Sequence, residues 1–278
     1  MPDTPIDIPS RPQEKPETTF TAVILAGARE ENDLLRKQEK ESLKAFIKVG
    51  GTPMIDYVLK AALRSGYIDD IYVCIDAEDE IEKKAPLLAE LRKEKKVRII
   101  PTEQGPSASA EKAVKDINIA KPVLITTADH PLLTRAILKE FLQKSLRTKA
   151  DATLGVIPTD IITNAYPKNK RTRLKFREGS YTGCNLFTFL TPSARELTGH
   201  WQVMEDMRKT PFQMATHLGP GILTQYLLGL LTLDKALEKL SKKTSINVKA
   251  VRMHQAEAGI DVDTPEDLNL VKEIIQNY

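Results

Sequence analysis

Thr21-Ala22-Val23-Ile24-Leu25-Ala26 is a short continuous apolar run that stops at Gly27. Its length and lack of alternation read as a strand buried on both faces, the kind found inside a parallel sheet. The chain beyond it alternates two periods. Met54–Leu63 has helical spacing, with Met54, Val58, Leu59 and Leu63 on one face. Asp70–Asp76 reads as a second strand, Glu78–Lys95 as one charged amphipathic helix, and Val97–Ile100 as a third strand. Ser107–Ile117 reads as a helix, Pro122–Thr127 as a fourth strand, 134–147 as a helix and 151–157 as a strand. Strands alternating with helices imply right-handed βαβ units. The expected fold is therefore α/β: a Rossmann-like, doubly wound, mostly parallel sheet. Such sheets bind ligands beyond the carboxyl ends of their strands.

The pattern changes after Pro158. Residues 160–180 are polar and strongly basic, Cys184–Phe189 reads as a strand, and 192–244 as almost wholly helical. Ile246–Met253 returns to strand, and Pro265–Gln276 forms a closing helix capped by Asp263 or Thr264. There is no internal repeat. The expected organisation is a disordered tail over 1–18, with five prolines, and one domain over 19–278. A helical insertion at about 192–244 sits between two late strands.

Bulk properties exclude several classes. A net charge of +3 in 278 residues is too small to point to nucleic acid. Cys74 and Cys184 lie far apart in apolar runs and read as buried hydrophobes, not as a disulfide or zinc site. The N-terminus lacks the pattern of a signal peptide, and no apolar run is long enough to span a bilayer. A cytoplasmic protein is expected.

The candidate chemistry gathers after the strands. Gly27 lets backbone N–H groups approach phosphate oxygens. The loop after it is rich in cations (Arg29, Arg36, Lys37, Lys40), and Lys44 stands in an otherwise apolar setting. The fourth strand ends at Asp129, a hard oxygen donor suited to Mg²⁺. His130, before Pro131, reads as a turn residue, and Thr134 as the better helix cap. Asp261 and Asp263 are two apart in an extended segment and share a face. Glu266 and Asp267 read as structural groups in a first helical turn. The Gly105–Ser109 loop opens a helix and offers small hydroxyl groups to a base or ribose.

Taken in order, Val23-Ile24-Leu25-Ala26-Gly27, Lys44, Gly51-Thr52-Pro53-Met54-Ile55, Ala128-Asp129-His130-Pro131 and Asp261-Val262-Asp263-Thr264-Pro265-Glu266-Asp267-Leu268 resemble the nucleotidyltransferase superfamily. The chain is most similar in these motifs to the molybdenum-cofactor guanylyl- and cytidylyltransferase-like (MobA-like) proteins. The resemblance spans roughly 20–157 and 246–277. It implies that Leu25, Ala26 and Gly27 hold nucleotide phosphates and that Lys44 neutralises charge at the reacting centre. It also implies Mg²⁺ on Asp129 with Asp263, Asp261 being the reserve ligand. Gly105, Ser107 and Ser109 would frame the nucleobase and Asn185 would contact the acceptor. Apart from the resemblance, the charge of the basic segment 168–177, Lys175 included, reads either as an attractor for an anionic acceptor or as a solvated hairpin. The chain departs from the family pattern at Ala28, which replaces a glycine, and in the long charged stretch between Gly27 and Lys44. Arg29 and Arg36 both remain candidates for the loop arginine. The helical block with Tyr226–Leu231 matches none of the best-known branches; its apolar face reads as core, with a homodimer contact or a pocket for a greasy acceptor as alternatives.

The expected reaction is transfer of a nucleoside monophosphate unit from a nucleoside triphosphate to a phosphorylated small molecule, with release of pyrophosphate. An acceptor phosphate is already anionic at neutral pH, so no general base is needed. Two rivals stand beside this reading. One is a glycosyltransferase, because Asp261-Val262-Asp263 is an Asp-x-Asp pair. The other is a non-catalytic nucleotide-binding module, because the phosphate loop is altered.

Overall fold

A computed structural model describes residues 16–27, 34–169, 171–200 and 220–277. In chain order the elements are β1 (Phe20–Leu25), α1 (Leu34–Glu39), β2 (Lys48–Val49), β3 (Thr52–Pro53), α2 (Met54–Arg64), β4 (Ile68–Cys74), α3 (Ile81–Lys84), α4 (Pro86–Lys93), β5 (Val97–Ile100), α5 (Pro106–Asp116), β6 (Val123–Thr127) and α6 (Arg135–Arg147). They continue with β7 (Ala152–Pro158), α7 (Thr159–Ala165), β8 (Leu174–Phe176), β9 (Gly179–Phe189), α8 (Pro220–Leu227), α9 (Leu233–Thr244), β10 (Val248–Arg252) and α10 (Pro265–Gln276).

The main sheet runs in the order β10-β7-β9-β6-β1-β4-β5, with β8 paired to β9. β1 is parallel to both β4 and β6, β4 to β5, and β10 to β7. β9 alone within this path is antiparallel to both its neighbours, β6 and β7. The sheet is thus mixed and mostly parallel, with helices on both faces. β1 shows why its sequence is continuously apolar. Ala22 and Ile24 enter the core on one face, with α2, α4, α6 and α10, while Val23 and Leu25 enter the core on the other, with α5 and α9. From β1 the chain steps outward through β4 and β5, then returns to β6 on the other side of β1. Adjacent loops diverge at that reversal and leave a crevice at the strand ends.

Two readings need correction. The expected single helix over 78–95 is broken. Pro86 starts a new helix, and Ala85 before it leaves the helical region (φ −133°, ψ 76°), as residues preceding proline tend to do. The strand expected at Cys184–Phe189 begins at Gly179 and is inserted antiparallel between β6 and β7. The helical block is described in part. A 3₁₀ segment covers Ser193–His200, and α8 and α9 follow; residues 201–219 lie outside the described residues, as do 1–15 of the expected tail. Ile222 and Leu231 are buried as expected of a core face, whereas Leu227, Leu228 and Leu230 are exposed. Both cysteines are free and buried. Among the described residues no helix is long and apolar enough to cross a membrane.

Candidate active site

The crevice between β1 and β6 opens into a cleft enclosing about 640 Å³ of space that merges with solvent. Its floor is the end of β1, Leu25-Ala26-Gly27, and the end of β6, Thr127-Ala128-Asp129. Backbone bonds lock these ends together: Ala26 N donates to Cys74 O at 2.9 Å and Ala128 N to Leu25 O at 2.9 Å. A side chain at Gly27 would place a Cβ 2.9 Å from Thr102 Cγ2. Thr102 has little room to retreat, because its N–H donates to Asp76 Oδ1 at 2.8 Å and its hydroxyl bonds the same carboxylate. Glycine is required there by close approach.

Lys44 begins a 3₁₀ turn, Lys44–Phe46, whose Ala45 and Phe46 are buried. Those two anchors leave the lysine directed into the cleft. Its ammonium lies 2.6 Å from Asp263 Oδ1 and 3.5 Å from Asp129 Oδ2, and donates to Val262 O at 3.2 Å. Lys44 and Asp263 are 219 residues apart in sequence. The C-terminal segment reaches Asp129 through a backbone bond, Val262 N to Asp129 O at 2.9 Å. One carboxylate oxygen each from Asp129, Asp261 and Asp263 then fall within 4.8 Å of one another. Like charges this close repel, so the cluster requires cations around it. Lys44 supplies one and Arg171 another.

Arg171 is nearly buried and ion-pairs with Asp261 Oδ1, while its other terminal nitrogen bonds Asp261 O and lies 3.2 Å from Asp267 Oδ1. Asn169 Oδ1 accepts from Arg171 Nε at 2.9 Å. Asn185 Nδ2 donates to the second oxygen of Asp261 at 2.6 Å. Asp267 closes a capping box with Thr264 at the start of α10, which settles the cap on Thr264 and keeps Asp267 structural. Thr134 likewise caps α6, accepting from Ile137 N at 3.2 Å.

Of the residues singled out in the sequence, the cleft gathers Leu25, Ala26, Gly27, Arg36, Lys44, Gly105, Ser109 and Asp129. Arg29 lies outside the described residues. Arg36 projects from α1 and donates to Ser42 O at 2.5 Å. Ser107 stands on the first turn of α5 but is not part of the cleft wall. The Ser109 hydroxyl, expected to meet a base or ribose, instead accepts from Glu103 N at 2.9 Å and donates to Gly105 O at 2.9 Å, so it shapes the loop. Asn185, expected at the acceptor, has its amide directed to Asp261. Lys175 is exposed on β8 and outside the cleft wall. His130 is more than a turn residue. It is buried and its Nε2 lies 3.0 Å from Glu257 O; burial holds its pKa below the ordinary histidine value, with the Glu257 carbonyl opposing.

The sequence reading missed Arg171, which it placed in a basic run, and Thr102 and Thr127 in the cleft wall. Cys74 also lines the cleft. Burial pushes its thiol up to about 12, which favours the uncharged form at neutral pH.

A model described as the MobA-like NTP transferase domain matches residues 22–173. A 2-C-methyl-D-erythritol 4-phosphate cytidylyltransferase of Thermotoga neapolitana is 30% identical over 164 residues, covering 58% of this chain and 68% of the relative. Among solved structures, a hypothetical transferase from Thermus thermophilus superposes with a TM-score of 0.72 at 25% identity, covering 90% of this chain and all of the other. A CMP:2-keto-3-deoxy-manno-octonic acid synthetase complexed with CTP shares the fold at TM-score 0.56 and 14% identity, covering 94% of this chain and 99% of that one. With the crevice, Gly27 after β1 and the strand-end Asp129 all within the matched span, the chain belongs to the MobA-like NTP transferase family, a family of nucleotidyltransferase type.

Proposed function

We propose that this protein is a Mg²⁺-dependent nucleotidyltransferase that transfers a nucleoside monophosphate unit from a nucleoside triphosphate to a phosphorylated small molecule. The observation that carries this reading is the convergence of Lys44, Asp129, Asp261 and Asp263 from distant segments at the mouth of one crevice. The donor set fits a magnesium ion. All three groups are hard carboxylate oxygens, and Asp129 Oδ1 is buried with no hydrogen-bond partner, an arrangement that a cation relieves. Asp129 and Asp263 would hold the ion. When bound, it supplies charge neutralisation at the phosphates and a template for in-line attack.

The protein's own residues do the rest. The backbone at Gly27, just past the end of β1, receives phosphate oxygens. Lys44 offsets the charge that develops on the leaving pyrophosphate. An acceptor phosphate carries its own negative charge, so alignment replaces base catalysis. The name of the T. neapolitana relative, a cytidylyltransferase of an erythritol 4-phosphate, supports a phosphorylated acceptor. The fold shared with a synthetase complexed with CTP supports a triphosphate donor.

The deciding experiment is a thermal-shift panel of ATP, GTP, CTP and UTP, each with Mg²⁺ and with EDTA. A ligand that binds only the folded state raises apparent stability by mass action. The expected result is a selective, Mg²⁺-dependent rise for one triphosphate that disappears in Asp129→Ala. No shift with any triphosphate overturns the reading, and sugar nucleotides then become the next ligands to try.

A further inference from the structure

Asp261 is held more firmly than either of the other two carboxylates in the cluster. One oxygen takes the Arg171 guanidinium and the other takes Asn185 Nδ2 at 2.6 Å. Asp263, by contrast, is about half exposed and bonded to the flexible ammonium of Lys44. The two donors on Asp261 arrive from different elements. Arg171 lies in the connection between α7 and β8, 90 residues from Asp261 in sequence. Asn185 sits inside β9, where the pairing with β7 shifts register between Leu154 and Val156. It adopts a left-handed backbone, φ 51°, which is uncommon for a residue with a side chain. Such conformations persist where the surroundings over-determine them, and irregularities in a strand re-aim a side chain. Here the re-aimed side chain meets a carboxylate of the cluster.

We propose that Asn185 and Arg171 are positioning residues that clamp Asp261 into the carboxylate cluster before any cation arrives. This inference rests on the metal-binding reading above. The clamp sets the direction of both Asp261 oxygens and neutralises part of its charge, so that Asp129 and Asp263 can approach without unfolding the C-terminal segment. Arg171 adds a second tie, to Asp267 at the head of α10, which joins the basic segment after α7 to the segment that carries Asp261 and Asp263. Groups that orient metal ligands from behind in this way typically change metal affinity on the order of 10–100-fold when removed.

The test is Mn²⁺ titration of the full chain, without nucleotide, by the electron paramagnetic resonance signal of the free ion, alongside the melting temperature. Asn185→Gly is the central variant. Glycine suits a positive φ, so the fold is retained while the amide donor is lost. Its Mn²⁺ dissociation constant is expected to rise on the order of 10–100-fold, as is that of Arg171→Met. Arg171→Lys, which keeps the charge but not the fork, falls between wild type and Arg171→Met. Thr232→Ala is the control: Thr232 caps α9 by accepting from Lys235 N, and its loss leaves Asp261 and its partners in place, so the melting temperature falls and Mn²⁺ affinity holds. Unchanged affinity in Asn185→Gly and Arg171→Lys overturns the clamp, and so does an equal loss in Thr232→Ala. If wild type binds Mn²⁺ and Asp129→Ala does not, either of those results overturns the clamp alone. If wild type binds no Mn²⁺, the metal-binding reading falls with it.

Discussion

Lys44 occupies the space between Asp129 and Asp263, 3.5 and 2.6 Å from their oxygens. An ammonium and a divalent cation placed between the same two carboxylates compete for them. Under the proposed function the residue has two roles, which mutation separates. Lys44→Met is expected to lower transferase turnover by about 10²–10³, the usual cost of losing one charge-stabilising group. It is also expected to tighten Mn²⁺ binding in the absence of nucleotide, because the competing ammonium is gone. Steady-state kinetics and metal titration on the same preparation check both; a variant that binds Mn²⁺ more weakly than wild type would show that Lys44 helps to build the cation site. Lys44 stands out in the sequence as a cation beside the apolar neighbours Leu43, Ala45, Phe46 and Ile47. The competition does not, because it depends on a partner more than 200 residues away.

Among the elements, α4 shows how a local break is repaired from a distance. Pro86 ends one helix and begins another, and the new helix has no cap from its own side chains. Asp56, on α2, provides one: its Oδ2 accepts from Leu87 N at 3.2 Å. The carboxyl is buried, and burial raises its pKa above 3.8 against the opposing backbone donors Leu87 and Leu88. The sign of the pH effect follows. A carboxyl whose folded pKa is raised stabilises the fold fully below the unfolded value. That contribution is lost as pH rises through the folded value. In urea denaturation, wild-type stability minus that of Asp56→Asn is expected to fall as pH is raised from about 4. A difference that grows with pH would mean that the helix cap outweighs burial. Sequence periodicity showed the apolar face of 78–95 but not this cap, since nothing in a single helix announces a carboxylate supplied by another.

At the scale of the whole molecule, the carboxylate cluster is assembled by the packing of the C-terminal segment against the sheet. Gly259 is the point of tightest contact before Asp261. A Cβ there would lie 2.7 Å from both Ile157 Cγ2 and Ile162 Cδ1. Overpacking of this kind costs about 1–3 kcal/mol. Gly259→Ala is expected to lower the melting temperature and, unlike Thr232→Ala, to weaken Mn²⁺ binding as well. The reason is that the turn 256–259 must move away from β7 and α7, carrying Asp261 with it. Unchanged metal affinity would mean that the clamp on Asp261 absorbs the shift.

By itself the sequence determined the strands that are buried on both faces, the glycine after β1, the lone lysine and the three aspartates that now stand together. Those features are local: a continuous apolar run, a residue type beside a strand end, a spacing of two along an extended segment. Only the tertiary structure decided that β9 is inserted antiparallel between β6 and β7, that Ser109 shapes its own loop, and that Asn185 and Arg171 turn toward Asp261 instead of toward an open acceptor site. Each of these depends on where a polar group finds its partner once water is excluded. A half-buried carboxylate such as Asp261 takes the donors that packing brings to it, and those donors lie 76 and 90 residues away along the chain.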